Sequence, residues 1–261
     1  MTEIRMENMS FSYGNCSVFS NISLKIGGSN LVCILGPNGV GKTTLIKCIN
    51  KLLKPTSGHI YINDIDVQDM HLLDLAQIMA YVPNSAFSVF SMTVAEAILM
   101  GRHPHAGWTT SENDMDVVDK AIDTMDLQDL SERDIRELSA GQLQRVMIAR
   151  GLAQEPEILI LDEPTSNLDV KHQMEVMRFL KRYAVESDTT ILMVCHDLNI
   201  TAAFADRIII MSNGGIFADG KAEDVLTEDC IKQVYDVDVK VIDVEGRPHV
   251  ILLPGTKEEK I

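Results

Sequence analysis

The chain has 261 residues, 46% hydrophobic and 23% charged, which suits a soluble protein with one large domain or a core carrying one inserted subdomain. A formal net charge of −15 argues against a nucleic-acid surface, which needs a basic patch. Five scattered cysteines without a C-x-x-C pair favour buried free thiols. No apolar run approaches the length of a membrane span, so any function at a membrane requires a partner that holds the chain there.

The first motif is a glycine-rich loop between an apolar strand and a helix. Residues 4–25 predict two or three short strands with a turn at Gly14-Asn15, and residues 31–35 predict a buried strand. The pattern G-x-x-x-x-G-K-[ST] then covers Gly36, Pro37, Asn38, Gly39, Val40, Gly41, Lys42 and Thr43. Glycines bring backbone N–H groups close to an anion, and the helix N-terminus adds a positive dipole end. A chance glycine turn is disfavoured by the flanks, so this is predicted to be a nucleotide-phosphate site.

Three side chains near this loop have predicted roles. Lys42 is placed to reach the β- and γ-phosphates, and the Thr43 hydroxyl to bind Mg²⁺. Tyr13 lies in a predicted strand, where an aromatic side chain usually packs against the core. Because it precedes a phosphate loop, Tyr13 is also a candidate platform for stacking an adenine ring.

The sequence pattern becomes typical of helices between about residues 86 and 150. Before it, residues 58–62 predict a strand, 71–78 a helix, and 80–83 a strand leading into Asn84. A capping-box pattern at Thr93 opens one helix, and residues 111–114 start a second. The second helix has helically spaced apolar positions at Met115, Val118, Ala121, Ile122 and Met125. This region therefore predicts an inserted helical subdomain.

Residues 138–142 precede another helix and leave two interpretations open. Ser139 and Gln142 have the spacing of an N-cap and its third helical position, so one interpretation is simply a capped helix. The other is a second anion site, in which Ser139 and exposed amides at the helix start bind the ligand. The local pattern alone does not decide between them.

Two carboxylates follow the apolar run 158–161. A strand of this kind belongs in the middle of a parallel sheet, with its carboxyl end facing the ligand crevice. Asp162 is placed to hold Mg²⁺ and its waters, and Glu163 to polarise an attacking water. The alternative, an exposed turn before Pro164, is disfavoured once the phosphate loop is accepted.

His196 ends the next buried strand, residues 189–195, where a contact to the γ-phosphate is favoured over a structural role. An amphipathic helix is predicted over 170–186 and a core strand over 207–211, followed by a tight turn at Gly214-Gly215. Beyond Tyr235 the pattern predicts a small hairpin, to which the sequence assigns no function.

With these motifs in this order, nearly the whole chain resembles the ABC transporter ATPases. The resemblance implies an α/β fold: a RecA-like P-loop NTPase core, an N-terminal antiparallel β subdomain and a helical subdomain carrying the signature sequence. The boundaries it suggests are an ATPase domain over 1–236, with the core at about 1–85 and 151–236 and the helical subdomain at about 86–150. Residues 237–261 would form a C-terminal β extension.

The resemblance also implies that two copies sandwich two ATP molecules head to tail, with Mg²⁺ at each site. Gly36 to Thr44 of one copy and Ser139, Gly141 and Gln142 of the other would grip the same nucleotide. Glu163 matches the catalytic carboxylate and His196 the switch histidine, while residues 166–169 match the segment along the dimer seam.

Two residues depart from the family pattern. Ala140 stands where the commonest signature has glycine, and a small residue at a helix start is expected to have little effect. Asn84 stands where the family has a glutamine that links Mg²⁺ and the attacking water to the transmembrane partner. Asn84 is one methylene shorter, so it is expected to retain a catalytic and metal-sensing role with weaker coupling, through loop movement or a bridging water.

Residues 93–105 resemble the segment found in importers of iron–siderophore, haem and vitamin B12. This implies two transmembrane permease subunits as partners, an extracytoplasmic substrate-binding protein acting indirectly, and a peripheral location on the cytoplasmic face of the cell membrane. Phe87, Val89 and Phe90 fit a docking surface for a permease helix, the alternative being core of the helical subdomain.

Three other functions are disfavoured by the sequence. A soluble ABC-type ATPase acting in DNA repair or translation is disfavoured by the acidic balance, the absence of sustained heptads and the presence of one cassette only. A non-hydrolysing regulatory subunit is suggested by Asn84 but opposed by the intact Lys42, Asp162, Glu163 and His196. An exporter is disfavoured because exporters generally fuse the membrane span to the cassette.

Overall fold

The computed structural model describes residues 2–28, 30–84, 91–105, 110–166 and 168–254. Within these ranges the strands are β1 (Glu3–Tyr13), β2 (Cys16–Gly27), β3 (Leu31–Leu35), β4 (Ser57–Ile62), β5 (Ile65–Asp66), β6 (Met79–Val82), β7 (Ile158–Asp162), β8 (Thr190–Val194), β9 (Arg207–Ser212), β10 (Gly215–Gly220), β11 (Val239–Val244) and β12 (Arg247–Leu252). The helices are α1 (Lys42–Ile49), α2 (Leu72–Ile78), α3 (Val94–Leu99), α4 (Glu112–Thr124), α5 (Ala140–Ala153), α6 (Val170–Glu186), α7 (Leu198–Phe204), α8 (Ala222–Val225) and α9 (Glu228–Tyr235).

A six-stranded sheet in the order β10-β9-β3-β8-β7-β6 forms the centre of the molecule. Its strands run parallel from β9 to β6, and β10 is antiparallel at one edge. Every residue of β3, β7 and β8 is buried, which explains why these strands are nearly continuous apolar runs. Their carboxyl ends therefore meet at one edge of the sheet, where polar groups can gather.

Both faces of this sheet are covered. On β3, Leu31, Cys33 and Leu35 pack into the apolar cluster that includes residues of α5 and α6. The alternate residues Val32 and Ile34 pack with α1 and the N-terminal strands. The period of two along the strand thus divides the core into two layers.

The N-terminal strands form a second, antiparallel sheet in the order β2-β1-β4-β5. β1 and β2 are joined at Gly14-Asn15, the turn that the sequence predicts, and are longer than the short strands expected there. The predicted α/β class with an antiparallel β subdomain is confirmed.

The helical region between β6 and β7 begins its helices as the sequence predicts. Thr93, Ser111 and Ser139 each form a capping box with the residue three positions later. Of the helically spaced apolar positions, Val118 and Ile122 are buried, whereas Met115 is 44% exposed.

A buried arginine joins the parts of this region. Arg102 donates from Nε to Asp114 (2.9 Å) and from Nη1 to the Ala153 carbonyl and Glu155 (both 2.8 Å). Hydrogen bonds from Ser111 and from Arg102 lower the pKa of Asp114 to about 2. The start of α4 and the end of α5 are therefore held by one cation.

Three further features bear on the sequence predictions. The tight turn lies at Asn213-Gly214, one residue earlier than predicted, because both residues take positive φ (49° and 71°), as a two-residue hairpin loop requires. All five cysteines are free. No helix among the described residues has the length and apolar character needed to cross a membrane.

Candidate functional site

The glycine-rich loop links β3 to α1, and its glycines are required by close contacts. Gly36 has φ 147°, and a Cβ there would lie 2.3 Å from the Met211 carbonyl oxygen. Gly41 has φ 106°, and its Cβ would lie 2.7 Å from Val18. Both positions therefore exclude a side chain by conformation and by space. The loop is closed by the Val40 N–H, which donates to the Pro37 carbonyl (3.4 Å).

Lys42 is the cation of this loop. It is only 5% exposed, and its Nζ donates to the carbonyls of Gly36 (2.7 Å) and Pro37 (3.0 Å). Burial lowers the pKa of the ammonium group. An anionic ligand here would supply the counter-charge that two neutral carbonyls do not.

Asp162, at the end of β7, is a buried carboxylate, 4% exposed. Its hydrogen-bond donors are two neutral hydroxyls, Thr43 (3.0 Å to Oδ1) and Tyr81 (3.4 Å to Oδ2). Burial raises the pKa of Asp162. A hydroxyl and a carboxylate side by side, to which no cationic side chain in the described part of the chain is hydrogen-bonded, fit a hard divalent ion such as Mg²⁺.

Glu163 follows in the left-handed region, φ 53°, a conformation uncommon for a residue with a side chain. Its backbone is held by hydrogen bonds from its N–H to Val194 (3.2 Å) and from Ser166 Oγ to its carbonyl (3.1 Å). Among the described residues each of its carboxylate oxygens has one partner: Asn84 Nδ2 donates to Oε2 (2.9 Å), and His196 Nε2 contacts Oε1. The structure thus brings together Asn84, Glu163 and His196.

A cavity of about 340 Å³ connects this cluster with the loop. It is lined by Tyr13, Val18, Asn38, Gly39, Gly41, Lys42, Thr43, Thr44, Glu163 and His196. Tyr13 is 55% exposed and packs edge-on against Phe11, with ring centroids 4.8 Å apart, so one part of its ring remains accessible. Part of the predicted phosphate loop therefore shares one opening with Tyr13, Glu163 and His196, whereas Asn84 and Asp162 do not line it.

The signature residues lie elsewhere. Ser139, Ala140, Gly141, Gln142, Arg145, Leu168, Asp169 and His172 line a separate cavity of about 410 Å³. Ser139 and Gln142 form the capping box, in which the Ser139 hydroxyl accepts from the Gln142 N–H (3.2 Å) and Gln142 Oε1 accepts from the Ser139 N–H (2.9 Å). The two cavities have no lining residue in common.

Sequence reasoning missed several residues at these cavities. Tyr81 was read only as part of a strand, although its hydroxyl reaches Asp162. Arg145 and His172 were not singled out; the signal for His172 was its spacing from the N-cap Asp169, to which its ring is hydrogen-bonded (2.8 Å). Phe87, Val89 and Phe90, proposed for docking, lie outside the described residues, as does Asn167 of the seam segment.

A parallel sheet with a phosphate loop after β3 and paired carboxylates after β7 defines a P-loop nucleotide-binding protein. The family model for ABC transporters matches residues 19–166. The chain belongs to the ABC transporter family, and it is an ATPase that binds nucleotide.

Curated relatives match over most of their length. An uncharacterized ABC transporter ATP-binding protein of Methanocaldococcus jannaschii is 41% identical, covering 95% of this chain and 97% of its own. The iron(3+)-hydroxamate import ATP-binding protein of Bacillus subtilis is 35% identical (93% and 91%). The hemin import ATP-binding protein of Escherichia coli O157:H7 is 36% identical (92% and 94%).

Solved structures share the fold. One described as the inward-facing conformation of a proposed metal-chelate type ABC transporter has a TM-score of 0.83 and 25% identity, covering 97% of each chain. The dimeric structure of a bacterial ABC transporter cassette has a TM-score of 0.74 and 30% identity, covering 84% of this chain and 98% of that one.

Proposed function

We propose that this chain is the ATP-hydrolysing subunit of an importer that takes up a metal chelate such as iron–siderophore, haem or cobalamin. Relatives that match over nine-tenths of the chain are named for iron-hydroxamate and hemin import. The structural neighbour of proposed metal-chelate type supports the same substrate class. The subunit would act on the cytoplasmic face of the membrane, bound to two permease subunits. A substrate-binding protein would deliver the substrate to these permease subunits.

The separation of the two cavities carries the proposal of a head-to-tail dimer. One cavity holds the loop, Tyr13 and Glu163, and the other holds the signature residues, and they have different linings. A second copy, turned to face the first, would bring the signature helix N-terminus to the phosphates bound at Lys42. A similar cassette of known structure is dimeric.

The residues in and beside the first cavity have distinct roles in this proposal. Tyr13 stacks on the adenine, the loop N–H groups bind the β-phosphate, and Lys42 releases its two carbonyls to reach the β- and γ-phosphates. Thr43 and Asp162 would hold Mg²⁺, which when bound neutralises charge developing on the phosphate oxygens. Glu163 orients and polarises the attacking water, and His196 contacts the γ-phosphate. Ser139, Gly141 and Gln142 of the second copy complete the site.

Asn84 is proposed to sense the γ-phosphate through Glu163, whose carboxylate it holds at 2.9 Å. Replacing Asn84 with glutamine restores the reach of the family residue, so permease-stimulated turnover should rise by about threefold, or ~0.7 kcal/mol. The measurement compares the ATPase activity of the chain alone with its activity in complex with the permease. Asn84→Ala, which removes the amide, is the control and should reduce stimulation. Unchanged turnover and unchanged stimulation in Asn84→Gln would contradict this role.

The importer assignment is tested by affinity purification of the tagged full-length chain from detergent-solubilised membranes, followed by mass spectrometry. We expect a polytopic membrane protein in equal amount, because the proposed subunit acts on membrane-embedded permease subunits. An untagged preparation is the control. Recovery of only soluble or ribosomal proteins would refute the transporter assignment and favour an ATPase acting in translation or repair.

A further inference from the structure

The C-terminal hairpin β11–β12 packs against α7, the helix that begins just after His196. Val239 and Val250, on the inner face of the hairpin, form a small buried cluster with Ile231 of α9, and Leu198 of α7 packs against it. The outer face of the hairpin carries Ile251, which is exposed. The hairpin therefore covers one side of α7 instead of standing free.

Polar contacts fix the hairpin to α7 at two points. Asn199 uses both ends of its amide on one residue of β12: it accepts from the Val250 N–H (2.7 Å) and donates to the Val250 carbonyl (3.1 Å). Arg247 Nη1 donates to the Ala202 carbonyl, further along α7 (2.8 Å). The two hydrogen bonds between the Asn199 amide and the Val250 backbone imitate the pairing of a neighbouring strand. They therefore fix the position of β12 relative to α7.

His196 lies in the short link between β8 and α7. Before it, the Cys195 N–H donates to Ile34 of the sheet (3.0 Å). After it, Asp197 caps α7 by accepting from the Ile200 N–H (2.8 Å). A helix of seven residues has little stability of its own, so tertiary packing decides where α7 lies. Any shift of α7 is transmitted to the backbone of His196.

We propose that the C-terminal hairpin, acting through Asn199, is a positioning element that holds His196 against Glu163. The inference rests on the proposed function for the role of His196 in ATP hydrolysis. Asn199 is in this sense a positioning residue, because it does not line the cavity of Lys42 and Glu163 and would act through the link that carries the histidine.

The same C-terminal segment also reaches the phosphate loop. Tyr235, the last residue of α9, is half-buried. This partial burial raises the pKa of its hydroxyl to about 12, and a hydrogen bond with the Gly36 backbone opposes the rise. The segment from α9 to β12 thus contacts the start of the loop and the helix after His196. This geometry gives the hairpin a fixed base from which to position α7.

The first experiment replaces Asn199 with alanine in the full-length chain and measures steady-state ATPase activity. We expect kcat to fall by about tenfold with KM for ATP within twofold, because misplacing a catalytic group by a fraction of an ångström lowers the rate without weakening nucleotide binding. Asn199→Asp keeps the bond from the Val250 N–H and should recover part of the loss. Ile251→Ala, on the outer face of the same strand, is the matched control and should leave kcat unchanged. A thermal melt confirms that each variant is folded.

The second experiment combines Asn199→Ala with His196→Ala. If Asn199 acts through His196, the double variant should be no slower than His196→Ala alone. If Asn199→Ala lowered kcat by the same factor in the native chain and in the His196→Ala variant, the positioning role would be overturned. Full kcat in Asn199→Ala alone would overturn it as well. Full turnover in His196→Ala would instead contradict the proposed function of His196, and the two failures are therefore distinguishable. Arg247→Ala, which removes a different contact to α7, should reproduce the effect of Asn199→Ala if the inference holds.

Discussion

Replacing Glu163 with glutamine is expected to lower ATP turnover by on the order of 10² or more while leaving ATP binding intact. Glutamine has the same shape and can still contact Asn84 and His196, which hold the two carboxylate oxygens of Glu163. What is lost is the negative charge that, in the proposed function, polarises the attacking water. Since Glu163 sits in a constrained backbone conformation, φ 53°, an isosteric replacement also avoids a change in local strain.

The measurement is phosphate release at saturating ATP, together with nucleotide binding by fluorescence or calorimetry. Glu186→Gln, at the far end of α6, removes an exposed carboxylate and serves as the matched control, with turnover unchanged. If Glu163→Gln hydrolysed ATP at the native rate, another group would have to act on the water.

Replacing Lys42 with alanine is expected to weaken ATP binding on the order of 10²-fold, or about 3 kcal/mol. Lys42 is the buried cation of the loop, and its Nζ is already oriented by the carbonyls of Gly36 and Pro37. No other loop residue from 36 to 43 carries a charge, so alanine leaves the phosphates with neutral donors from the loop itself.

ATP affinity measured by calorimetry tests this expectation. Lys54→Ala removes an exposed lysine and should bind ATP normally. Because Lys42 also bonds to the loop carbonyls, a melt of the nucleotide-free variant is needed to separate lost affinity from a loosened loop. Native affinity in a folded Lys42→Ala chain would show that this side chain does not bind the phosphates.

The sequence predicts those parts of the fold that depend on local pattern. The buried strands β3, β7 and β8 follow from continuous apolar runs, and the three capping boxes follow from the spacing of a hydroxyl residue and the acceptor three positions later. The phosphate loop is likewise predicted from a local pattern, G-x-x-x-x-G-K-[ST], although the residues that limit the space at Gly36 and Gly41, Met211 of β9 and Val18 of β2, are distant in sequence.

Contacts between distant segments could not be predicted in this way. The hydrogen bond of Asn84 to Glu163 joins residues 79 positions apart, and that of Tyr81 to Asp162 joins residues 81 apart. Arg102 lies in a segment that reads only as a loop, yet it is buried against Asp114 and the end of α5. Such pairings depend on which strands become neighbours, and the periodicity of one segment carries no information on its partner.

The difference between the linings of the two cavities has a consequence for inheritance. If each nucleotide lies between the loop of one copy and the signature of the other, a defect at Lys42 and a defect at Ser139 harm different molecules of the pair. A chain with a defective phosphate loop still contributes an intact signature to the nucleotide site of its neighbour. A chain with a damaged signature instead impairs the site formed by the neighbour's phosphate loop. A mutant allele of either kind would therefore act beyond its own product, on the assembly that contains it.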